Sequence, residues 1–237
     1  MVRLFDINNT PDFEAGEIIL IDKPKTWSSF DVVNKIRWKL KDITGNKKIK
    51  VGHAGTLDPL ATGLLVICTG KATKTIDALQ NDNKIYEAVF KLGETRPSFD
   101  METETDKTYD ISNITNEQIV SAVKSMEGTY AQTPPTYSAI QINGKRAYEF
   151  ARKGEDVKLK SREINISKIE INDISLPKIT LTIHCSKGTY IRSLADEFGK
   201  RLDNGAFLYY LRRIQSGEFN IHNGFKLDYF IDYLNNL

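Results

Sequence analysis

Apolar and polar positions along the chain follow two periods, close to two and close to three and a half, and these place the elements. Glu17 to Asp22 is a short apolar strand that ends in Asp22-Lys23-Pro24, and Ser28 or Ser29 can then cap a helix whose Val33, Ile36 and Leu40 share one face. Leu64 to Thr69 reads as a buried strand, and Lys84 to Leu92 as another that sets Tyr86, Ala88, Phe90 and Leu92 on one side. Thr115 and Gln118 form a capping box ahead of Ile119, Val120, Val123 and Met126, and Gly144 to Lys153 predicts a short basic helix closed by Gly154. Ile179, Leu181, Ile183 and Cys185 alternate with Thr180, Thr182 and His184, as a half-buried antiparallel strand does. A turn at Ser186 to Thr189 leads into a helix carrying Ile191, Leu194, Ala195 and Phe198. Tyr209 to Phe219 gives a last strand and Leu227 to Leu234 a closing helix. Strands outnumber helices, so the expected class is α+β: a mixed, largely antiparallel central sheet flanked by helices. No repeat, low-complexity stretch or linker divides the chain, and one domain over 1–237 is expected.

Composition narrows this further. With 237 residues, 40% of them apolar, and 33 basic against 31 acidic side chains, the chain can bury a core and is not a disordered tail. Its apolar runs, such as Leu64 to Cys68, fall far short of the roughly 20 residues a membrane helix needs, and the first residues lack a signal pattern. The expected compartment is the cytoplasm, with no membrane partner. Cys68 and Cys185 are too few for a disulfide framework and lie in strand-like runs, as reduced core residues do. His53, His184 and His222 have no metal-ligand spacing, so no metal is predicted.

Charge is uneven. Residues 1–75 carry a net +4, residues 76–120 a net −6 and the remainder +4. Seven Lys or Arg face only Asp42 between Lys35 and Lys50, and eight face four acids between Lys145 and Lys168. Such runs are commonly solvated faces, but they also suit a polyanion, which binding would strip of counterions. The acidic stretch Glu94 to Glu117 reads as a solvated loop directed away from such a partner.

Two segments could hold chemistry. In Val51-Gly52-His53-Ala54-Gly55-Thr56-Leu57-Asp58-Pro59-Leu60-Ala61-Thr62-Gly63, three glycines and a proline impose tight turns before a strand. Pro59 biases Asp58 toward an extended backbone, which presents its carboxylate; by local pattern alone Asp58 could equally be a plain Asp-Pro turn residue. Gly63 to Lys71 is no phosphate loop, since six residues rather than four separate Gly63 from Gly70 and Ala72 stands where magnesium needs Ser or Thr. In His184-Cys185-Ser186-Lys187-Gly188-Thr189-Tyr190-Ile191-Arg192, Arg192 opens a helix after a strand, a surface position unless a carboxylate from another loop meets it.

Together these segments resemble the TruB-type tRNA pseudouridine-55 synthase family, from about Gly16 to Ile214. Asp22-Lys23-Pro24, Gly52 through Gly63, Lys84-Ile85-Tyr86, Pro134-Pro135-Thr136-Tyr137-Ser138-Ala139, Gly144-Lys145-Arg146-Ala147-Tyr148-Glu149, Gly188-Thr189-Tyr190-Ile191-Arg192 and Tyr210-Leu211-Arg212-Arg213 carry the likeness in the family's order. The resemblance implies an isomerase with its site in a cleft across the sheet. It would turn uridine 55 in the tRNA T loop into pseudouridine by flipping the base out of its stack, without cofactor or metal. By motif position Asp58 would be the catalytic aspartate, Tyr86 the aromatic that stacks on the base, and Arg192 the salt-bridge partner of Asp58. Tyr190 and Leu211 would line the uracil pocket, His53 would stand where the loop is opened, and Lys23 would support the site. Attack by Asp58 at C1′, attack at C6 and removal of a ribose proton all remain open from residue types.

The departures are Ala54, where many relatives have Thr, the run Thr95-Arg96-Pro97-Ser98-Phe99-Asp100, and a chain that stops too soon for the family's C-terminal RNA-binding domain. An RNA-contacting, thumb-like insertion is expected at about 136–160. The expected partner is the T arm of tRNA, with no obligatory protein partner and a monomeric state. The alternatives are a guide-RNA-dependent ribosomal RNA synthase of the same superfamily and a non-catalytic RNA-binding or tRNA-folding protein.

Overall fold

The computed structural model, which describes residues 2–142, 144–155 and 157–237, divides the chain into two units, Met1–Tyr86 with Arg212–Leu237 and Glu87–Leu211. The principal elements are β1 (Glu17–Lys23), α1 (Ser29–Thr44), β2 (Val51–Ala54), β3 (Thr62–Thr69), β4 (Lys84–Leu92), α2 (Asn116–Lys124), β5 (Gly128–Gln132), β6 (Arg162–Ser175), β7 (Lys178–Cys185), α3 (Ile191–Arg201), β8 (Ala206–Ser216) and α4 (Leu227–Asn235). The class is α+β, with mostly antiparallel strands and flanking helices. Unit boundaries fall within β4 and β8.

In the first unit β3 is the organising strand. It runs antiparallel to β1, from Ile18 opposite Cys68 to Lys23 opposite Gly63, and antiparallel to β2, with His53 opposite Ile67. Its continuous apolar run follows from burial on both faces. Leu65 and Ile67 join a core with Val32, Ile36, Leu40 and Phe230, while Leu64 and Val66 pack with Leu20 and Phe219 on the other side. Each such side chain contributes roughly 1.5–3 kcal/mol by leaving water. Ser28 caps α1 through a capping box with Asp31, and Gly45 ends it in the left-handed region at φ 67°. The start of β3 has a parallel neighbour: Arg212 and Arg213 of β8 lie opposite Thr62 and Gly63.

In the second unit β6 pairs antiparallel with β7 and, through its first residues, with β5. Thr115 and Gln118 make the expected capping box at α2. Phe198 of α3 packs on Phe90 of β4 with ring centroids 5.7 Å apart. Three expectations need correction. The basic helix predicted over Gly144 to Lys153 is shorter, Ala147–Ala151, because Lys145–Arg146 pairs instead with Gln141–Ile142 as a hairpin. The strand expected over Tyr209 to Phe219 is Ala206–Ser216, and Phe219–Asn220 folds back onto its end across Gly217 at φ 56°. The acidic stretch is not wholly solvated, since Ser98 and Asp100 within it are buried. Asn143 and Asp156 of the expected insertion lie outside the described residues.

Candidate active site

Asp58 stands on a turn whose flanks are tied to the first unit on both sides. The preceding residue, Leu57, is held reciprocally by the buried Ser29: the Leu57 amide donates to Ser29 Oγ at 2.8 Å, and that hydroxyl donates to the Leu57 carbonyl at 3.0 Å. The Asp58 carbonyl accepts from the Ala61 amide at 3.1 Å, and the Pro59 carbonyl accepts from the Thr26 amide at 2.8 Å. The half-buried carboxylate of Asp58 is therefore carried by a backbone with its hydrogen bonds made. Gly55 adopts φ 96°, and Gly63 adopts φ 99° where an added Cβ would lie 2.3 Å from the Arg213 carbonyl. At Gly63 the parallel pairing with β8 leaves no room for any side chain.

Two buried cations brace this turn. Lys23 is fully buried, and its ammonium donates to the carbonyls of Pro24, Trp27 and Pro59 at 3.0, 2.5 and 3.3 Å. Burial pushes its pKa down to about 8; the charge of Asp58 opposes this and that of Arg213 adds to it. Arg213, 1% exposed, donates to the carbonyls of Leu64 at 2.7 Å and Gly55 at 2.9 Å. His53 is held below its ordinary value by burial and by Arg213, with the Gly55 backbone pulling the other way, so it is neutral at neutral pH. Lys23, His53 and Asp58 thus belong to one unit, and the charge of Asp58 acts on Lys23 there more strongly than that of Asp31. An oxygen anion fixed beside buried cations can serve as nucleophile or as base.

Tyr86 ends this unit on β4, where Lys84, Tyr86, Ala88, Phe90 and Leu92 are all buried. In the second unit Tyr190 precedes α3, and its backbone is clasped by Gln132, which accepts from the Tyr190 amide at 2.8 Å and donates to its carbonyl at 3.1 Å. Arg192, 4% exposed, donates to the carbonyls of Tyr137 at 2.9 Å and Ser98 at 3.3 Å, and its Nε lies 3.6 Å from a carboxylate oxygen of Asp100. One guanidinium thereby joins the Pro134 to Ser138 segment, the acidic loop and α3. Leu211, half-buried, closes this unit at the point where β8 leaves it.

Sequence reasoning missed several of these contributors. In the sequence Ser29 stands out only as a helix cap, Arg213 and Asp22 only within motif strings, and Asp100 only within an acidic stretch. Asp22 binds Arg212 with two bonds of 2.7 and 3.0 Å. The adjacent pair Arg212-Arg213 within a strand did hold a signal, since neighbouring strand residues face opposite ways and one of the two guanidiniums had to turn inward. Among the described residues no three His, Cys, Asp or Glu side chains gather as a metal site would require, and no helix is long and apolar enough to cross a membrane.

Comparison with known proteins shows the family. Residues 41–191 match the family described as TruB family pseudouridylate synthase (N terminal domain). The chain is 54% identical to the tRNA pseudouridine synthase B of Parabacteroides distasonis, over 87% of this chain and 88% of that one. It is 48% identical to the protein of that name from Flavobacterium johnsoniae, over 95% and 99% of the two chains. Among solved structures it resembles a chain in the crystal structure of a Cbf5-Nop10-Gar1 complex, with a TM-score of 0.70, 27% identity, and coverage of 98% of this chain and 60% of that one. The chain belongs to the TruB family of pseudouridylate synthases.

Proposed function

We propose that this chain is a tRNA pseudouridine synthase that isomerises uridine 55 of the T loop, with Asp58 as the catalytic residue. The reaction breaks the bond between ribose C1′ and N1 and joins C1′ to C5; the C5 hydrogen leaves as a proton and N1 gains one. Product and substrate are isomers, so no cofactor is consumed. A uridine in a folded loop must leave its stack before Asp58 can reach its sugar or ring, at a cost of a few kcal/mol. Stacking on Tyr86 would offset part of that. In this reading Tyr190 and Leu211 line the uracil pocket, His53 stands where the loop opens, and Lys23 supports the turn. Arg192 pairs with the Asp58 carboxylate. The partner is the T arm of tRNA, and the protein acts as a cytoplasmic monomer without an obligatory protein partner.

The observation that carries this reading is the turn at Asp58, whose neighbours Leu57 and Pro59 are both hydrogen-bonded to other parts of the first unit. A side chain on so fixed a backbone is suited to chemistry rather than to capping. The test is Asp58→Asn: tRNA binding is retained while pseudouridine formation on an unmodified transcript is lost, and turnover near wild type would refute the assignment.

A second reading is a guide-RNA-dependent synthase that acts within a protein complex; the likeness to a chain solved in the Cbf5-Nop10-Gar1 complex fits the complex but does not itself speak of a guide. Identity of about half to relatives named for tRNA favours the first. Mapping pseudouridine after incubation of purified protein with tRNA transcript alone separates the two, because a guide-dependent enzyme would be inactive there.

A further inference from the structure

Arg162 opens β6 with its guanidinium over the ring of Tyr190, 4.4 Å from the ring centroid. It also covers the left-handed Gly188, where an added Cβ would lie 3.4 Å from the guanidinium carbon. Its Nε is buried with no hydrogen-bond partner, and among the described residues the side chain forms no ion pair. Other arginines of the same unit are matched: Arg192 by two carbonyls and Asp100, Arg201 by Glu197 and Ser125. Arg162 is thus a partly buried cation without an anion, and the Tyr190 ring offsets only part of the cost of desolvating it.

A guanidinium that uses its face against an aromatic ring keeps its edge N–H groups for planar, two-pronged recognition, and phosphate is an anion with that geometry. Tyr190 belongs to the segment assigned above to the uracil pocket. We infer that Arg162 binds a backbone phosphate of the substrate RNA beside the flipped nucleotide, an inference that rests on the proposed RNA-modifying function. Stacking on Tyr190 fixes the guanidinium in advance, so little side-chain freedom is lost when the phosphate arrives.

The test is the salt dependence of tRNA affinity. Each phosphate contact contributes a slope of about −0.7 to −0.9 to the logarithm of affinity against the logarithm of salt concentration. Arg162→Met should weaken tRNA binding ~10-fold, make that slope shallower by about 0.7 to 0.9, and place its loss in KM rather than kcat. Arg162→Lys should keep the slope. Arg162→Gln replaces the Met variant if circular dichroism shows that the latter is unfolded. An unchanged slope in the neutral variant, or a loss confined to kcat, would overturn the inference and leave Arg162 as a support for the Tyr190 ring. A wild-type chain that forms no pseudouridine on tRNA would instead overturn the functional reading.

Discussion

Lys23 makes the first unit sensitive to pH in the direction opposite to that of a lysine whose pKa an ion pair raises. Its ammonium has a pKa of about 8 when folded, against the ordinary 10.5 of an exposed lysine. Between those values the unfolded chain binds more protons than the folded one, so stability rises with pH from 8 to 10.5, and the penalty for holding the charge is fully present below 8. The full change is on the order of 3 kcal/mol. Denaturant midpoints measured from pH 7 to pH 10 should show this rise in the wild type and not in Lys23→Met. At Arg192 the geometry is the issue rather than the charge: its planar head serves the Tyr137 carbonyl, the Ser98 carbonyl and Asp100 at once. Arg192→Lys keeps the charge but cannot reach all three, and kcat should fall by ~10-fold or more, as single-turnover assays would show. The strings that hold Asp58, Tyr86 and Arg192 were readable because unusual residue types are concentrated in them. Asp100 and Ser29 were not, since nothing near Asp100 distinguishes it from the exposed acids around it, and Ser29 bonds to a residue 28 positions away.

At the scale of elements, two close approaches hold the Asp58 turn to its surroundings. Ser29→Ala leaves the Leu57 amide and carbonyl buried without their partner, at a cost of about 1–3 kcal/mol. Because the freed residue adjoins Asp58, kcat should fall even where thermal denaturation shows the fold intact. Gly63→Ala should be worse, with a positive φ and a backbone oxygen in the way; a loss of at least ~2 kcal/mol in chemical denaturation is expected. The strand this glycine opens was plain in the sequence because both of its faces are buried. The longest strand, β6, was not. Ile164 and Ile166 fall on even positions, Ile169 and Ile171 on odd ones and Ile174 on an even one again, because the register shifts between Ile166 and Lys168 and between Ile171 and Asp173. Each bulge flips the buried parity, so no single alternation spans the strand, and charged residues of both signs interrupt its apolar positions.

At the scale of the whole molecule the small net charge hides two basic stretches. Lys35, Lys47, Lys48 and Lys50 are exposed in the first unit, and Lys145, Arg146, Lys153, Lys158 and Lys160 in the second. If these surfaces hold RNA, tRNA affinity should fall steeply between low and physiological salt, with a logarithmic slope beyond about −2; a flat response in filter binding would refute it. Arg152 is the exception among the exposed cations of the insertion, since it binds Glu102 of the acidic loop at 2.9 Å. The charge tally showed the basic and acidic blocks but not this pairing, which depends on residues fifty positions apart.

The reciprocal clasp between Ser29 and Leu57 bears on attempts at engineering. Transplanting residues 52–63 into a foreign scaffold would carry Asp58 but leave behind the hydroxyl, the lysine and the arginine that hold its backbone still. A graft that held its shape would have to import the start of a helix, the end of one strand and the middle of another, so this loop is portable only together with most of the layer beneath it.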